Sequence, residues 1–226
     1  MTKIGINGFG RIGRLILRAL LENYKDKIQV VAINDLGSIE TNAHLIKYDS
    51  THGTLNHDVK TSKDGFEISN QKIKVFAEKD PGKISWGKVG ADVVLECTGI
   101  FLDKSSAQNH IKGGAKKVII SAPAKEVDFT IVQGVNSNEL KKNHNVISNG
   151  SCTTNCLAPV AMVLENNFGI EYGYMTTIHS YTGDQKLLDT LHKDLRRARS
   201  TEGSMIPTST GAAKALSLVL PSLKGK

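Results

Sequence analysis

The sequence predicts an α/β protein with a doubly wound, mainly parallel sheet in its first 150 residues and a second domain after it. Short apolar runs alternate with polar or helical stretches up to residue 150, which is typical of parallel strands joined by crossovers. The first run meets a glycine-rich turn and then a helical stretch, as in a βαβ unit. From residue 151 the pattern changes to the first part of a mixed α+β domain. The predicted domains are therefore 1–150 and 151–226.

The elements of the first domain follow from its hydrophobic runs, taken in chain order. A strand ending at Asn7, a helix over residues 11–21 and the buried strand IQVVAIND open the chain. A helix around residues 41–48 follows. GFEISN and KIKVFAE then predict an antiparallel hairpin with its turn at Asn70 and Gln71. The parallel strands resume with ADVVLECTG, KKVIISAP and NVISN, between which DKSSAQNHIKGG indicates a helical crossover.

The second domain begins with a predicted helix, SCTTNCLAPVAMVLENN, which is about four turns long. The alternating segment IEYGYMTTIHSYT, residues 170–182, predicts a long strand, and a polar stretch runs from there to about Pro207. Because no low-complexity linker separates the domains, we expect them to pack closely.

Composition favours a globular protein of the cytoplasm. The chain has 226 residues, of which 39% are hydrophobic and 23% charged. No run approaches the roughly 18 apolar residues needed to cross a bilayer, and the N-terminus lacks a signal-peptide profile. Three cysteines are too few for a disulfide framework and suit a reducing compartment. We therefore expect a cytoplasmic protein without membrane contact.

The net charge of +7 fits anionic small molecules as well as nucleic acid. The Lys and Arg residues are mostly scattered along the chain rather than clustered. We therefore do not expect nucleic acid to be the primary ligand.

Three glycines predict a dinucleotide site of the Rossmann type. Gly8, Gly10 and Gly13 form G-x-G-x-x-G between the first strand and its helix, where they allow a tight turn and close approach of a pyrophosphate. Asp35 ends the next strand, where a carboxylate accepts the ribose hydroxyls of NAD and repels the 2′-phosphate of NADP. The alternative is a turn for the glycines and a cap or turn role for Asp35. Thr98 and Ser121 follow later strands and would face the same crevice.

Cys152 is the candidate nucleophile. It lies where a loop becomes a helix, so backbone N–H groups and the helix dipole favour its thiolate. Cys156 lies one helical turn further on and, like Cys97, is interpreted as a small core residue. The Cys-x-x-x-Cys pair has no second half, so no metal site is expected.

His179 is the candidate base, because it lies on the predicted strand that follows the helix of Cys152. A lone histidine on a strand is more often structural, and only the pairing of His179 with Cys152 supports a role as a base. A thiol and an imidazole beside a nicotinamide ring indicate oxidation of an aldehyde through a covalent thioester.

Six motifs then occur in order along the chain: GINGFGRIGR, ECTGIF, SCTTNCL, TTIHSYTGDQ, RRAR and PTSTGAAKA. Together they resemble the NAD-dependent, phosphorylating glyceraldehyde-3-phosphate dehydrogenase family. The resemblance implies that Cys152 attacks the aldehyde of glyceraldehyde 3-phosphate with His179 as base. Inorganic phosphate then cleaves the thioester to give 1,3-bisphosphoglycerate, a step of glycolysis and gluconeogenesis.

The resemblance also implies the binding residues. The expected NAD contacts beyond the glycines are Arg11, Ile12, Asp35, Lys79, Thr98 and Ser121. The expected phosphate contacts are Ser151, Thr153, Arg197, Thr210 and Gly211 for inorganic phosphate and Thr182 for the substrate phosphate. The stretch LRRAR by itself indicates a solvated basic segment, whereas in the family it lines a neighbouring subunit's NAD site, which implies a homotetramer.

The chain is shorter than the family's usual length, so we expect it to be weakly active or inactive by itself. Lys79 replaces the arginine that is common in the family. Erythrose-4-phosphate dehydrogenase shares the fold, the cysteine and the histidine and is the alternative enzyme. The alternative outside enzymes is a noncatalytic fragment that binds NAD or RNA.

Overall fold

A computed structural model describes residues 1–226 and divides the chain into two compact units, Met1–Ser151 and Cys152–Lys226. The first unit is built on a nine-stranded sheet, and the second contains two α-helices separated by a long stretch without regular structure.

The first unit contains eleven strands and four α-helices. In chain order these are β1 (Thr2–Asn7), α1 (Arg11–Asn23), β2 (Ile28–Asn34), α2 (Ile39–Lys47), β3 (Tyr48–Asp49), β4 (Gly53–Thr54), β5 (Val59–Ser62), β6 (Gly65–Ile68), β7 (Gln71–Phe76), β8 (Val93–Glu96), α3 (Lys104–Ala107), α4 (Asn109–Lys112), β9 (Lys117–Ile120), β10 (Phe129–Thr130) and β11 (Val146–Ser148).

The large sheet has the strand order β10, β11, β9, β8, β1, β2, β7, β6, β5. All pairs from β10 to β7 are parallel, and only β6 and β5 are antiparallel to their neighbours. The chain moves outward from β1 through β2 and then crosses to the other side of β1 with β8. This confirms the predicted doubly wound sheet, whose ligand crevice is expected beyond the carboxyl ends of the strands at this reversal.

The predicted hairpin is present as β6 and β7. Its two-residue turn consists of Ser69 and Asn70, which have φ values of 51° and 61°. Two successive residues in the left-handed region form the turn type whose twist matches that of paired antiparallel strands. The turn therefore lies one residue earlier than the sequence pattern indicated.

Side chains from α1 and both neighbouring strands build the main core. Leu17 and Leu21 of α1 are buried against Ile6 of β1 and Ile33 of β2. Arg18, on the same side of α1, is also buried, and its guanidinium donates to the carbonyl oxygens of Ile46, Lys47 and Gly53. The arginine thereby binds α1 to the end of α2 and to β4.

The second unit contains α5 (Cys152–Phe168) and α6 (Ala212–Val219), which pack against each other. The helix predicted at the start of this domain is therefore confirmed as α5. None of the helices in the chain combines the length and the apolar character needed to cross a membrane.

The strand predicted over residues 170–182 is wrong, because residues 170–211 contain neither helix nor strand. A strand needs a neighbour to pair its N–H and C=O groups, and no other segment of this chain pairs with residues 170–182. Both of its alternating faces are therefore open: Tyr174 on one face is 100% exposed, and Tyr181 on the other is 71% exposed.

We expect Arg18→Met to lower the free energy of unfolding by about 2–4 kcal/mol, because three carbonyl oxygens lose a charged donor. The matched change Arg11→Met removes only the ion pair between the half-exposed Arg11 and Asp49, which keeps its bonds to the N–H groups of Thr51 and His52, and should cost less than about 1 kcal/mol. Urea unfolding of both variants measures the difference. Equal losses would contradict a structural role for Arg18.

Candidate active site

The three glycines of the first turn have different steric surroundings. Gly8 has φ +88°, and a Cβ added to it would lie 2.7 Å from the backbone nitrogen of Thr98. A Cβ on Gly13 would lie 2.3 Å from the carbonyl oxygen of Gly8. Gly10 has no neighbouring atom within 4 Å of a Cβ position. Two glycines thus serve packing, while the third leaves open space for a ligand.

The open space at Gly10 adjoins the start of α1. Gly10 is the N-cap residue and supplies no side chain, and the first turn contains no acidic residue. Ile12 is 50% exposed there, and Arg11 is paired with Asp49 at 2.9 Å. A helix N-terminus of this kind attracts a phosphate group through its free N–H groups and its dipole.

Asp35 follows β2 and is held by two backbone groups. Its Oδ2 accepts the N–H of Phe9 at 2.9 Å, and its Oδ1 accepts the N–H of Gly37 at 2.8 Å. Asp35 therefore has the turn role considered as its alternative, and it also lies beside the glycine turn. The helix cap role does not, because Ser38 caps α2.

The other predicted NAD contacts lie after the carboxyl ends of further strands. Lys79 is exposed after β7, Thr98 follows β8, and Ser121 follows β9, where its N–H donates to the carbonyl oxygen of Glu96 at 3.0 Å. Parallel strands place their carboxyl ends at one edge of the sheet, so these residues share the edge of Asp35 and the glycine turn.

Sequence reasoning missed three buried polar residues at this edge. Asn7, Asn34 and Glu96 end β1, β2 and β8 and are at most 5% exposed. Each is the polar last residue of an otherwise apolar run, and this position was the signal available in the sequence.

In the second unit, the structure brings Cys152 and His179 together. The Sγ of Cys152, the first residue of α5, lies 3.2 Å from the Nε2 of His179. The Nδ1 of His179 lies 2.6 Å from the carbonyl oxygen of Ser180, which can only accept a hydrogen bond. Nδ1 therefore carries a proton, and in the neutral ring Nε2 presents its lone pair to the thiol.

The environment of the pair favours charge separation. Partial burial acts to raise the pKa of Cys152, but hydrogen bonding to His179, its charge, and bonds from Thr153 outweigh this and lower the pKa. The hydrogen bond to Ser180 and then the contact with Cys152 raise the pKa of His179. The two shifts have the directions expected for a thiolate and imidazolium pair.

The other two cysteines differ from each other. Cys156 is exposed, so its interpretation as a core residue is wrong: it lies on the same helix face as the exposed Cys152. Cys97 packs against the main core as predicted, and burial raises the pKa of its thiol to about 11. Cys97 is consequently a weak nucleophile at neutral pH.

The predicted phosphate residues lie in several segments. Ser151 precedes α5 and Thr153 lies in its first turn, while Thr210 and Gly211 precede α6, where the Thr210 hydroxyl accepts the N–H of Ala212. Thr182 bonds Gln185 through its backbone and its hydroxyl. The convergence of these residues on two phosphates stays a prediction.

Arg197 and its neighbours are paired within the chain. Arg197 donates to Asp184 at 2.6 Å and to the hydroxyl of Thr208 at 2.7 Å. Arg196 pairs with Asp194, and Arg199 pairs with Asp189. The basic stretch is thus a set of ion pairs rather than a row of free cations, and sequence reasoning missed the carboxylates.

Two family models match the chain. Residues 2–104 match the model described as "Glyceraldehyde 3-phosphate dehydrogenase, NAD binding domain". Residues 151–226 match "Glyceraldehyde 3-phosphate dehydrogenase, C-terminal domain". The NAD-binding description agrees with the glycine turn, Asp35 and the parallel sheet described above.

Curated relatives agree with the family models. The chain is 59% identical over 227 residues to glyceraldehyde-3-phosphate dehydrogenase 1 of Bacillus cereus, covering 100% of this chain and 67% of the relative. It is 58% identical over 225 residues to glyceraldehyde-3-phosphate dehydrogenase of Streptomyces coelicolor, covering 99% and 67%. It is 57% identical over 226 residues to the Geobacillus stearothermophilus protein of that name, covering 100% and 67%.

Substitution of alanine for two of the glycines should separate packing from binding. Gly13→Ala forces the methyl group against the Gly8 carbonyl and should cost about 1–3 kcal/mol of stability. Gly10→Ala fills open space, so stability should change by less than about 0.5 kcal/mol. The same methyl group obstructs the approach of a pyrophosphate and should weaken NAD binding about tenfold.

Urea unfolding and calorimetric titration with NAD measure the two effects. Gly10→Ala that binds NAD like the unaltered chain would contradict the assignment of this space to the dinucleotide.

Proposed function

Because the chain belongs to the glyceraldehyde 3-phosphate dehydrogenase family, we propose that it oxidises and phosphorylates glyceraldehyde 3-phosphate with NAD and inorganic phosphate. The observation that carries the proposal is the 3.2 Å contact between the Sγ of Cys152 and the Nε2 of His179. The product is 1,3-bisphosphoglycerate, so the reaction belongs to glycolysis and gluconeogenesis.

In the first step, Cys152 forms a bond to the aldehyde carbon. His179 Nε2 takes the thiol proton, and Sγ attacks the carbonyl, whose oxygen becomes the hydroxyl of a thiohemiacetal on receiving a proton from the imidazolium. The Nδ1–H bond to the Ser180 carbonyl is kept throughout, and it stabilises the charged ring while the proton resides there.

Oxidation converts the thiohemiacetal to a thioester. His179 takes the hydroxyl proton as the carbonyl forms again, so that the carbon can release its hydrogen with two electrons. NAD, when bound, supplies the acceptor for that hydride. The residues that would hold it are the glycine turn, Arg11, Ile12, Asp35, Lys79, Thr98 and Ser121, and the free space at Gly10 and the uncapped start of α1 fit its pyrophosphate.

Phosphate completes the reaction. A phosphate oxygen attacks the thioester carbonyl, the carbon–sulfur bond breaks, and Cys152 leaves as a thiolate beside protonated His179. We assign Ser151, Thr153, Arg197, Thr210 and Gly211 to the attacking phosphate and Thr182 to the substrate phosphate, since hydroxyl, amide and guanidinium groups suit anions.

We further propose that the chain acts in the cytoplasm and that the full-length protein is a homotetramer. Three free cysteines, one of them with a lowered pKa, favour a reducing compartment. The predicted role of the segment 194–199 beside a neighbouring subunit supports the assembly.

Alkylation by iodoacetamide should depend on His179. In a Cys156→Ser background, His179→Asn removes the group that lowers the pKa of Cys152, so the thiolate forms only nearer an ordinary pKa of about 8.5. At pH 6–7 the alkylation rate should fall at least about tenfold, and its pH profile should shift to higher pH.

Mass spectrometry of the labelled peptide and a rate profile over pH measure this effect. Cys152→Ser in the same background is the control, since it should leave only slow labelling of Cys97. An unchanged pH profile in His179→Asn would contradict the proposed pair.

The substrate assignment can be tested by single turnover on the 226-residue chain. With NAD and glyceraldehyde 3-phosphate but no phosphate, Cys152 should become acylated while at most one NADH per chain appears, and added phosphate should remove the acyl group. Absorbance and intact mass measure both steps. Faster acylation by erythrose 4-phosphate would instead support the erythrose-4-phosphate dehydrogenase.

A further inference from the structure

A buried hydrogen-bond network lies at the carboxyl ends of β1, β2 and β8. Its centre is Glu96, whose side chain is inaccessible to solvent, as is that of His110. Asn7, Asn34 and Trp86 complete the network and are at most 5% exposed. A buried charged or polar group must find its partners within the protein, because water cannot supply them.

Both oxygens of Glu96 are surrounded by donors. Oε1 accepts the N–H and the hydroxyl of Thr98, the N–H at 2.7 Å. Oε2 accepts the amide of Asn7 at 2.6 Å and lies 2.9 Å from the Nε2 of His110. Four groups thus surround the two oxygens, and the Thr98 N–H, the Asn7 amide and the imidazole of His110 each direct a donor at Glu96.

One end of the network is fixed by Trp86. Its indole Nε1–H can only donate, and it donates to the Nδ1 of His110 at 3.0 Å. Nδ1 must therefore be unprotonated. The ring is neutral, its single proton is on Nε2, and that proton points to Glu96.

The opposite end is fixed by the backbone of Glu78. Its N–H donates to the Oδ1 of Asn34 at 2.8 Å, which orients the amide of Asn34. The Nδ2 of Asn34 then donates to the Oδ1 of Asn7 at 2.8 Å, so Asn7 must direct its own Nδ2 to Glu96. Neither amide can rotate to offer Glu96 an oxygen.

The network holds the backbone that surrounds the dinucleotide. Thr98 is bound to Glu96 by two bonds, and a Cβ at Gly8 would lie within 2.7 Å of the Thr98 nitrogen. Asn34 directly precedes Asp35, and its carbonyl oxygen accepts the N–H of Gly8 at 2.8 Å. A shift of Glu96 would therefore move Thr98, the glycine turn and Asp35 together.

We propose that Glu96 is a positioning residue for NAD: as a buried carboxylate that accepts only, it holds the ends of β1, β2 and β8 in the arrangement that binds the cofactor. The proposal rests on NAD binding by Met1–Ser151 and extends it to a residue that makes no predicted contact with the cofactor. Because Trp86 fixes the proton of His110, the network has no second hydrogen-bond arrangement that would accommodate a neutral amide in place of the carboxylate.

Three variants of the 226-residue chain test this. Glu96→Gln places an NH₂ group against hydrogen-bond donors. His110 cannot accept from this group while Trp86 donates to Nδ1, so NAD should bind at least about tenfold more weakly. Trp86→Phe alone should change NAD affinity less than about threefold. In the Trp86→Phe background, the double variant Asn7→Asp/Glu96→Gln replaces the Asn7 donor by an acceptor, and His110 can move its proton to Nδ1. The new amide can then donate both to the new carboxylate at position 7 and to the Nε2 of His110, so the affinity should return to within about threefold of Trp86→Phe.

Asp128→Asn is the matched control. Asp128 is likewise a hydrogen-bonded carboxylate, but it accepts the N–H groups of Asn145 and Val146 and the ammonium group of Lys104 at another edge of the same unit. This change should lower stability in urea and leave NAD affinity within about twofold of the unaltered chain.

Calorimetric titration measures NAD affinity, and two-dimensional NMR of ¹⁵N-histidine chains reports the tautomer of His110, assigned with His110→Asn. We expect Nε2–H in the unaltered chain and Nδ1–H in the double variant. Should Glu96→Gln fail to fold, recovery of folded, NAD-binding protein in the double variant supports the proposal.

Two results would overturn it: a double variant that binds NAD no better than Glu96→Gln, or a Glu96→Gln variant with unaltered affinity. An unaltered chain that does not bind NAD would instead overturn the proposed function, and the histidine tautomer would still report on the network.

Discussion

The close packing of Gly8 against the backbone of Thr98 is the constraint on which the dinucleotide-binding unit depends. At 2.7 Å from the Thr98 nitrogen there is no room for a Cβ, so the turn after β1 and the turn after β8 have one relative position. The same turn carries Gly10 at the start of α1 and is bound to Asp35 through the N–H of Phe9. Residues that are distant in sequence thus lie at one edge of the sheet because the backbones of the turns after β1 and β8 are in contact.

The second unit depends on local contacts instead. Its proposed catalytic pair joins the first residue of α5 to a segment without regular structure, and the imidazole is oriented by the carbonyl of the next residue, Ser180. The surrounding segment exposes large apolar side chains such as Tyr174 and Ile178, whose burial would contribute about 1.5–3 kcal/mol each. The pair can therefore form without the packing that normally stabilises a strand.

Much of the fold could be predicted because parallel strands are buried on both faces and leave uninterrupted apolar runs. The prediction of a strand over residues 170–182 was wrong because the alternation of apolar and polar residues shows which side chains share a face and cannot show whether a pairing partner exists. The interpretation of Cys156 as a core residue was wrong for a related reason. Helical spacing placed it on the face of Cys152, and that face is exposed.

Candidate site residues could be proposed from the sequence where chemistry follows from local position, as for Cys152 at a helix start and Gly8, Gly10 and Gly13 at a turn. They could not be proposed where function depends on which atom donates. Glu96, Asn7 and His110 are 14 to 103 positions apart in sequence, and only their three-dimensional contacts define the direction of each hydrogen bond. The carboxylate partners of Arg196, Arg197 and Arg199 escaped sequence reasoning in the same way.

The two histidines show how the partner of one nitrogen decides the chemistry of the other. In His110, Nδ1 accepts from Trp86, so the proton is confined to Nε2 and the neutral ring serves only as a donor to Glu96. In His179, Nδ1 donates to the Ser180 carbonyl, so Nε2 is free to take a proton from Cys152, and the resulting cation keeps its bond. A donor-only partner makes the first ring a fixed structural element, and an acceptor-only partner leaves the second ring the free lone pair that its proposed role as a base requires.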